Sequence, residues 1–364
     1  MRLLLTAIGV MAALGSASPG GGVQTLYRNP NGTIAAFAQD DDVVAWLSPG
    51  GRHQCNAVHL LSVKGAGLKT TLPKPGTDNV TCRWSIADGP VRLAIAADPK
   101  EDAALWTLHQ KAQIALDYVV GATAVQPLER RFAEVAHNNG GAGLWLGGIA
   151  GSGPTLVYAT TEIAYVDQVD CLSGGSCALK VAGGGIRRVV GRSDQLLPNT
   201  GPAVDVAAAS GRIAYIPAKM VGPNGLPQAA AGQPVEIHDA ATGGLLAKVT
   251  PDGVAQGIAL APQVLAVIER SGAKTEIAWY DPTTTRLLGI EEVPPQTSTQ
   301  IAANDGVIVF RVGRVIRGID VATGAVRTLA RAAATPIGLS VAGSRLAWAE
   351  NVKGVGRIRA LQLG

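Results

Sequence analysis

The sequence predicts an all-β chain made of repeated four-stranded antiparallel sheets, and three observations carry that reading. A short apolar run with Ala or Val at its third place recurs seven times, with third positions at 45, 94, 157, 214, 266, 309 and 347. Turn residues (Asp, Asn, Ser and Gly) punctuate the apolar runs, and glycine alone accounts for 46 of 364 residues. The composition is 47% hydrophobic, 16% charged and 4% aromatic, which excludes a disordered chain and calls for a core of Val, Leu, Ile and Ala. Thin sheets repeated at about 40–60 residues have two apolar faces and become stable by stacking around an axis, as in a β-propeller.

In the first cell, residues 34–37 and 43–46 flank a turn at Asp40-Asp41-Asp42. The second and third copies are 92–95 and 155–158. Gly183-Gly184-Gly185 reads as a hairpin, and Arg187, Arg188 and Arg192 lie on a predicted outer strand, where charge discourages edge pairing. The fourth cell is fuller: 204–207, a Ser210-Gly211 turn, 212–215, then 235–239 and 245–249. The fifth repeats this at 264–267, 277–281 and 287–290, and the sixth at 307–310, 316–320 and 326–329. The last cell offers only 337–341, 345–349 and 356–363. Residues 23–28 stand spare before the first cell and are expected to complete the last sheet, closing the ring without terminal edges. The expected architecture is a seven-bladed propeller; six or eight blades also fit, because the second and third cells align worst.

The later cells share a D-x-x-T hairpin at Asp239/Thr242, Asp281/Thr284 and Asp320/Thr323, followed by Gly243, Thr285 and Gly324. Asp and Thr side chains bond to nearby turn amides, so turn chemistry accounts for them. Over residues 200–364 these hairpins resemble those of the WD40-like, YVTN-like and quinoprotein-like propeller superfamily. The resemblance implies a fold and no activity. The Gly-His and Trp-Asp pairs of true WD40 repeats and the S-x-D-x-G-x-x-W boxes of sialidases are missing.

At the N-terminus, Arg2 precedes an apolar run over 3–14, with Gly15 and Ala17 at the small positions of a cleavage site. This is the pattern of a secretory signal peptide over residues 1–17, leaving 18–364 as one propeller domain, secreted or held in the periplasm or cell envelope. The run is shorter than the roughly 20 residues of a spanning helix, and no later stretch qualifies. The composition leans bacterial. Four cysteines, Cys55, Cys82, Cys171 and Cys177, suit disulfides in an oxidising compartment. Cys171 and Cys177 bracket a flexible loop and leave Cys55 with Cys82, although three connectivities are open to four cysteines and free buried thiols are the competing reading.

Strand parity separates two faces. Joins between second and third strands, and between cells, share one face, and this face receives every long segment: 48–56, 71–80, 122–143, 160–171 and 217–234. Long loops on a rigid scaffold are where recognition resides. A short helix is expected over 127–137, with Pro127 in its first turn and Asn138-Asn139-Gly140 as its stop. Arg52, His53, Arg130, Arg131, His137 and Lys219 fall on this face as candidates for holding an anionic ligand. His59, His109 and His238 lie on predicted strands and read as ordinary strand residues. No histidine has metal-ligand spacing, and Asp40–Asp42 offers three carboxylates where calcium takes six to eight oxygens, so no metal or cofactor is expected. The net charge of +4 is too small and scattered for a nucleic-acid binder. The expected function is an exported, monomeric binding protein that recognises a protein, glycan or surface polymer through its long-loop face. The alternative is a propeller enzyme, such as a quinoprotein-like dehydrogenase or a polysaccharide or lactone lyase, which calls for perturbed polar groups at the channel mouth.

Overall fold

Strand pairing is antiparallel throughout the computed structural model, which describes residues 22–30, 32–49, 56–65, 67–71, 92–97, 102–110, 113–120, 126–133, 143–165, 179–190, 193–222 and 226–364. The chain opens with β1 (Gln24–Asn29). Blade 1 is β2 (Ala36–Asp40), β3 (Val43–Ser48), β4 (Ala57–Ser62) and β5 (Gly67–Thr71). Blade 2 is β6 (Leu93–Ala96), β7 (Ala103–Gln110), β8 (Gln113–Val120) and β9 (Gln126–Ala133). Blade 3 is β10 (Gly143–Ser152), β11 (Thr155–Tyr165), β12 (Leu179–Val190) and β13 (Ser193–Leu196). In blade 4, β14 (Ala203–Ala209) and β15 (Arg212–Pro217) are followed by a small separate hairpin, β16 (Met220–Val221) with β17 (Pro227–Gln228). The blade then continues with β18 (Val235–Asp239) and β19 (Leu245–Val249). Blade 5 is β20 (Val254–Leu260), β21 (Leu265–Ser271), β22 (Lys274–Tyr280) and β23 (Leu287–Val293). Blade 6 is β24 (Ala302–Ala303), β25 (Val307–Val312), β26 (Val315–Asp320) and β27 (Val326–Arg331). The last sheet holds β28 (Ile337–Ala342), β29 (Arg345–Val352) and β30 (Val355–Gln362), with β1 as its outer strand.

Seven four-stranded sheets are thus present among the described residues. Their innermost strands, β2, β6, β10, β14, β20, β24 and β28, touch in succession, and β28 returns to β2. The ring is a β-propeller, with β1 pairing from Gln24↔Ala360 to Asn29↔Gly356 to fill the place the last cell leaves open.

The repeated motif explains the packing between blades. Each interface has its own apolar cluster. The small third residue of one blade's second strand shares a cluster with the fourth residue of the next blade's second strand. Ala45 meets Trp106, Val157 meets Tyr215, Ala266 meets Phe310, Val309 meets Trp348, and Ala347 meets Trp46. Trp46, Trp106, Tyr158, Tyr215, Phe310 and Trp348 are the largest fully buried side chains, and all occupy that fourth place. A large ring set against Ala or Val fills the gap between sheets at crystal-like density. So the scarce aromatics are not incidental to an aliphatic core: the fourth place of the second strand puts a ring into six of the seven interfaces, Val267 takes it between blades 4 and 5, and Phe37, Trp279 and Tyr280 add further rings to these clusters.

Four sequence expectations need correction. The copy at 92–95 is not a second strand; it overlaps β6, the innermost strand of its blade, and the true second strand is β7 with Leu105 in the third place. That Leu broke the small-residue rule and hid the copy. The helix expected over 127–137 is instead occupied by β9, the outer strand of blade 2 as far as Ala133. Pro127, near the strand start, is tolerated because an outer strand leaves one row of amides unpaired. Gly183-Gly184-Gly185 is no hairpin but lies within β12. Arg187 and Arg188 are on that third strand, one in from the edge: Arg187 pairs with Asp194 of β13, while Arg188 reaches the next blade's turn at Ala240 O, 3.0 Å away.

Candidate functional site

The central channel is lined by the innermost strands of all the blades, and among the described residues a cavity opens towards each face. The larger, about 500 Å³, opens among the tight turns between first and second strands, at Asp40-Asp41, Ser152, Ser210, Pro262, Asn304-Asp305 and Gly343. Its carboxylates serve the ring itself. Asp40 Oδ2 accepts from the backbone N–H of Ala97 (2.9 Å) and of Gly153 (2.7 Å), tying blade 1 to the segments that follow two other innermost strands. Asp305 Oδ1 accepts from Gln263 N at 2.7 Å. The Asp40–Asp42 triplet is therefore a turn whose first carboxylate is a structural acceptor.

The second cavity, about 410 Å³, lies at the other end, where the innermost strands begin. It carries the charge: Arg92, Asp205 and Arg311 line it, beside Thr299 and Gln300. The first two are organised by a bulge in β10, where pairing with β11 shifts between Leu146 and Ile149. Arg92 Nη1 donates to Gly147 O at 2.7 Å, and the Arg92 backbone N–H donates to Thr107 Oγ1 at 2.9 Å. On the other side of the bulge, the Asp205 carboxylate packs onto Gly148, where any Cβ would collide with Oδ1 and with Val206 N. Glycine at 148 is thus required by close approach. Burial pushes the Asp205 carboxyl above its usual range, against the opposing influence of Arg92 and of the Val206 and Ile258 amides.

The long segments all leave on this same face. They join β3 to β4, β5 to β6, β9 to β10, β11 to β12, and β15 to β18. Lys219 sits in the last of these, exposed, at the rim of a side cavity of about 380 Å³ with Tyr215, Gln233 and Glu236. Behind that cavity lies a polar network missed in the sequence. Tyr215 Oη donates to Glu236 Oε2 (2.5 Å), Lys248 Nζ donates to Oε1 (2.7 Å), and His238 Nε2 lies 3.2 Å from Oε2. Burial raises the Glu236 carboxyl, but hydrogen bonds from Lys248, Tyr215 and His238 outweigh it and hold the group below its usual value. Burial, reinforced by the bond to Glu236, pushes the Tyr215 hydroxyl up. His238 is fully buried and its Nδ1 lies 2.9 Å from Gly243 O, so this strand histidine has both ring nitrogens engaged. Glu236 stands opposite Tyr215 across the β15–β18 pair, and alternation alone hides such a partner.

Of the sequence-predicted site residues, the described part of the chain holds Lys219, Arg130 and Arg131. Arg130 and Arg131 are on β9, at the outer edge of blade 2, rather than in a loop. Arg52, His53 and His137 lie outside the described residues, as do Cys55, Cys82, Cys171 and Cys177 and the expected signal peptide. Arg92 and Arg311 were overlooked. The available signal was a charged residue interrupting an aligned apolar motif, as Arg311 does in Val307-Ile308-Val309-Phe310-Arg311.

No family model and no curated protein matches the sequence. Among solved structures, the chain is similar to the propeller domain of the Trilobed protease from Pyrococcus furiosus, with a TM-score of 0.48, 8% identity, and 92% of this chain and 96% of that one covered. It is also similar to BamB from Moraxella catarrhalis, with a TM-score of 0.46, 11% identity, and 95% and 93% covered. A third is Sqt1 from Saccharomyces cerevisiae, with a TM-score of 0.45, 10% identity, and 93% and 99% covered. No helix among the described residues is long and apolar enough to cross a membrane. The chain is a β-propeller of four-stranded antiparallel blades.

Proposed function

We propose that this chain is an exported seven-bladed propeller that recognises a macromolecular partner, a protein, glycan or surface polymer, through its long-loop face. One observation supports the reading above others: the joins between strands are strongly asymmetric. The turns between first and second strands are short, such as Asp41-Asp42 and Ser210-Gly211, while segments 49–56, 72–92, 134–142, 166–178 and 218–234 all leave from the other end of the strands. A rigid ring that places its insertions on one face presents many modest contacts at once, and binding of that kind needs no titrating catalytic pair. Lys219, one of the expected ligand-contacting residues, is exposed within one of these insertions, which supports the reading.

The test has two arms. The tagged full-length chain is fractionated from its host, and its mature N-terminus is sequenced; recovery outside the cytoplasm, starting at Ser18, is expected. The secreted protein is then titrated against purified envelope polysaccharide and envelope protein fractions. Replacing 218–234 by a two-residue turn is expected to weaken capture, whereas exchanging the Ser210-Gly211 turn for Asn-Gly leaves it unchanged. Cytoplasmic retention removes the export claim. Equal capture by both variants removes the face assignment.

A further inference from the structure

Arg311 stands where the propeller repeat calls for something else. Two places beyond the third residue of each second strand, the other blades carry Leu47, Thr107, Ala159, Ile216, Ile268 and Ala349, all buried. Five are aliphatic. Thr107, the sixth, has its hydroxyl engaged by the Arg92 backbone N–H. Blade 6 alone presents a guanidinium at this place, and it lines the charged cavity at the long-loop end of the channel. Its Nε is buried with no hydrogen-bond partner among the described residues. Arg317 shares that feature but is not among the residues lining the channel. Burial lowers the pKa of the Arg311 guanidinium, so its charge is held at a cost that no group among the described residues offsets. Asp205 does not offset it, because that carboxyl is occupied by the Val206 and Ile258 amides and feels Arg92.

We propose that the long-loop mouth of the central channel is a binding site for a small oxyanion, a carboxylate or phosphate group, received by Arg311 of blade 6 with Arg92 of blade 2 supplying the second positive charge. Guanidinium groups suit this task because their donors match the paired oxygens of such groups. The cavity volume of about 410 Å³ suits a small molecule rather than a polymer chain. Asp205 sets a selectivity: held against the wall beside Arg92, it disfavours a ligand that fills the Arg92 side with excess negative charge. The site lies inside the channel, so it stands or falls separately from macromolecular recognition by the surrounding loops.

The test is calorimetric titration of the full-length protein, in low-chloride buffer, with inorganic phosphate and with citrate, using glycerol as a neutral control. Wild-type protein is expected to bind at least one anion saturably and to ignore glycerol. Arg311→Leu, which restores the aliphatic residue of the other blades, is expected to weaken binding about tenfold or more while keeping or raising the ligand-free melting temperature. Arg311→Lys retains charge without the planar fork and is expected to give an intermediate affinity, which keeps the comparison open even if the Leu variant misfolds. Wild-type affinity for both anions weaker than about 1 mM overturns the site. So does equal binding by wild type and either variant, or an Arg311→Leu protein that melts lower without ligand, since that assigns Arg311 to the scaffold.

Discussion

His59 lies on β4 with its ring stacked on Trp46, centroids 4.9 Å apart, and its Nδ1 2.8 Å from Thr70 Oγ1. Burial lowers its pKa from 6.5 to about 4. The sign of the consequence follows from proton counting. Above pH 6.5 the imidazole is neutral in both folded and unfolded chains and imposes no pH dependence. As pH falls from 6.5 towards 4, the unfolded chain binds a proton that the folded chain refuses, so stability declines across that window and levels off below it. His59→Phe keeps a ring against Trp46 and removes the titration. Urea midpoints measured at pH 7 and pH 4.5 are expected to fall further for wild type than for His59→Phe; equal falls would place the acid sensitivity elsewhere. The sequence showed a histidine on a strand and no more, because the shift arises from Trp46 and the blade interface, which no local pattern records.

The hairpins that end the third strands of blades 4, 5 and 6 show what local chemistry does fix. Asp239 Oδ1 accepts from Thr242 N (2.7 Å) and Thr242 Oγ1 (2.8 Å), and Asp320 Oδ1 accepts from Thr323 N and Oγ1, both at 2.8 Å. Asp281 Oδ1 accepts from Thr283 N and Thr284 N. All three turns then need a left-handed residue. Gly243 (φ 71°) and Gly324 (φ 72°) adopt it freely, but blade 5 places β-branched Thr285 there at φ 60°. A left-handed L-residue costs about 1–2 kcal/mol, so Thr285→Gly is expected to stabilise by about 1 kcal/mol after the entropy glycine loses. A higher urea midpoint checks this; a lower one would mean that the Thr285 hydroxyl bond to Thr284 O outweighs the strain. These turns were legible because Asp, Thr and Gly act within four residues. The outer strand β9 was not, since Pro127 also begins helices, and only pairing with β8 makes the segment a strand. The aromatic at six of the seven interfaces was legible in retrospect, at the fourth place of the second strand. It was missed in composition because six side chains spread over seven blades look scarce in a total. The charged channel mouth was hidden for a related reason: Arg92, Asp205 and Arg311 come from three blades and converge only when the ring closes.

Closure is the property that the whole molecule adds to its blades. The last sheet meets blade 1 through side chains as well as apolar packing. Gln39 Nε2 donates to Ser340 O (2.7 Å) and Arg345 O (2.9 Å), and Asn351 exchanges bonds with the backbone of Ile34, 2.8 Å each way. Strand β1 works differently: it belongs to the last sheet by pairing with β30, yet its Tyr27 ring lies 4.6 Å from Trp46 of blade 1. It therefore spans the seam where the two ends of the chain meet. Arg359 Nη1 adds a bond to Thr25 Oγ1 at 2.9 Å. Removing residues 23–28 leaves β30 as an unpaired edge and uncovers Trp46 while leaving Gln39 and Asn351 in place. Loss of the partly buried Leu26 and Tyr27 is expected to cost on the order of 3 kcal/mol, with a clear fall in melting temperature and a shift to larger species on size exclusion as the bare edge self-pairs. Tyr27→Ala, which keeps the strand but removes the ring, separates the two contributions: it is expected to lower the melt by less and to remain the same size as wild type. An unchanged melt for the truncated chain would show that the side-chain clamps alone hold the seam, and would move the closing function from β1 to the interface between β2 and β28.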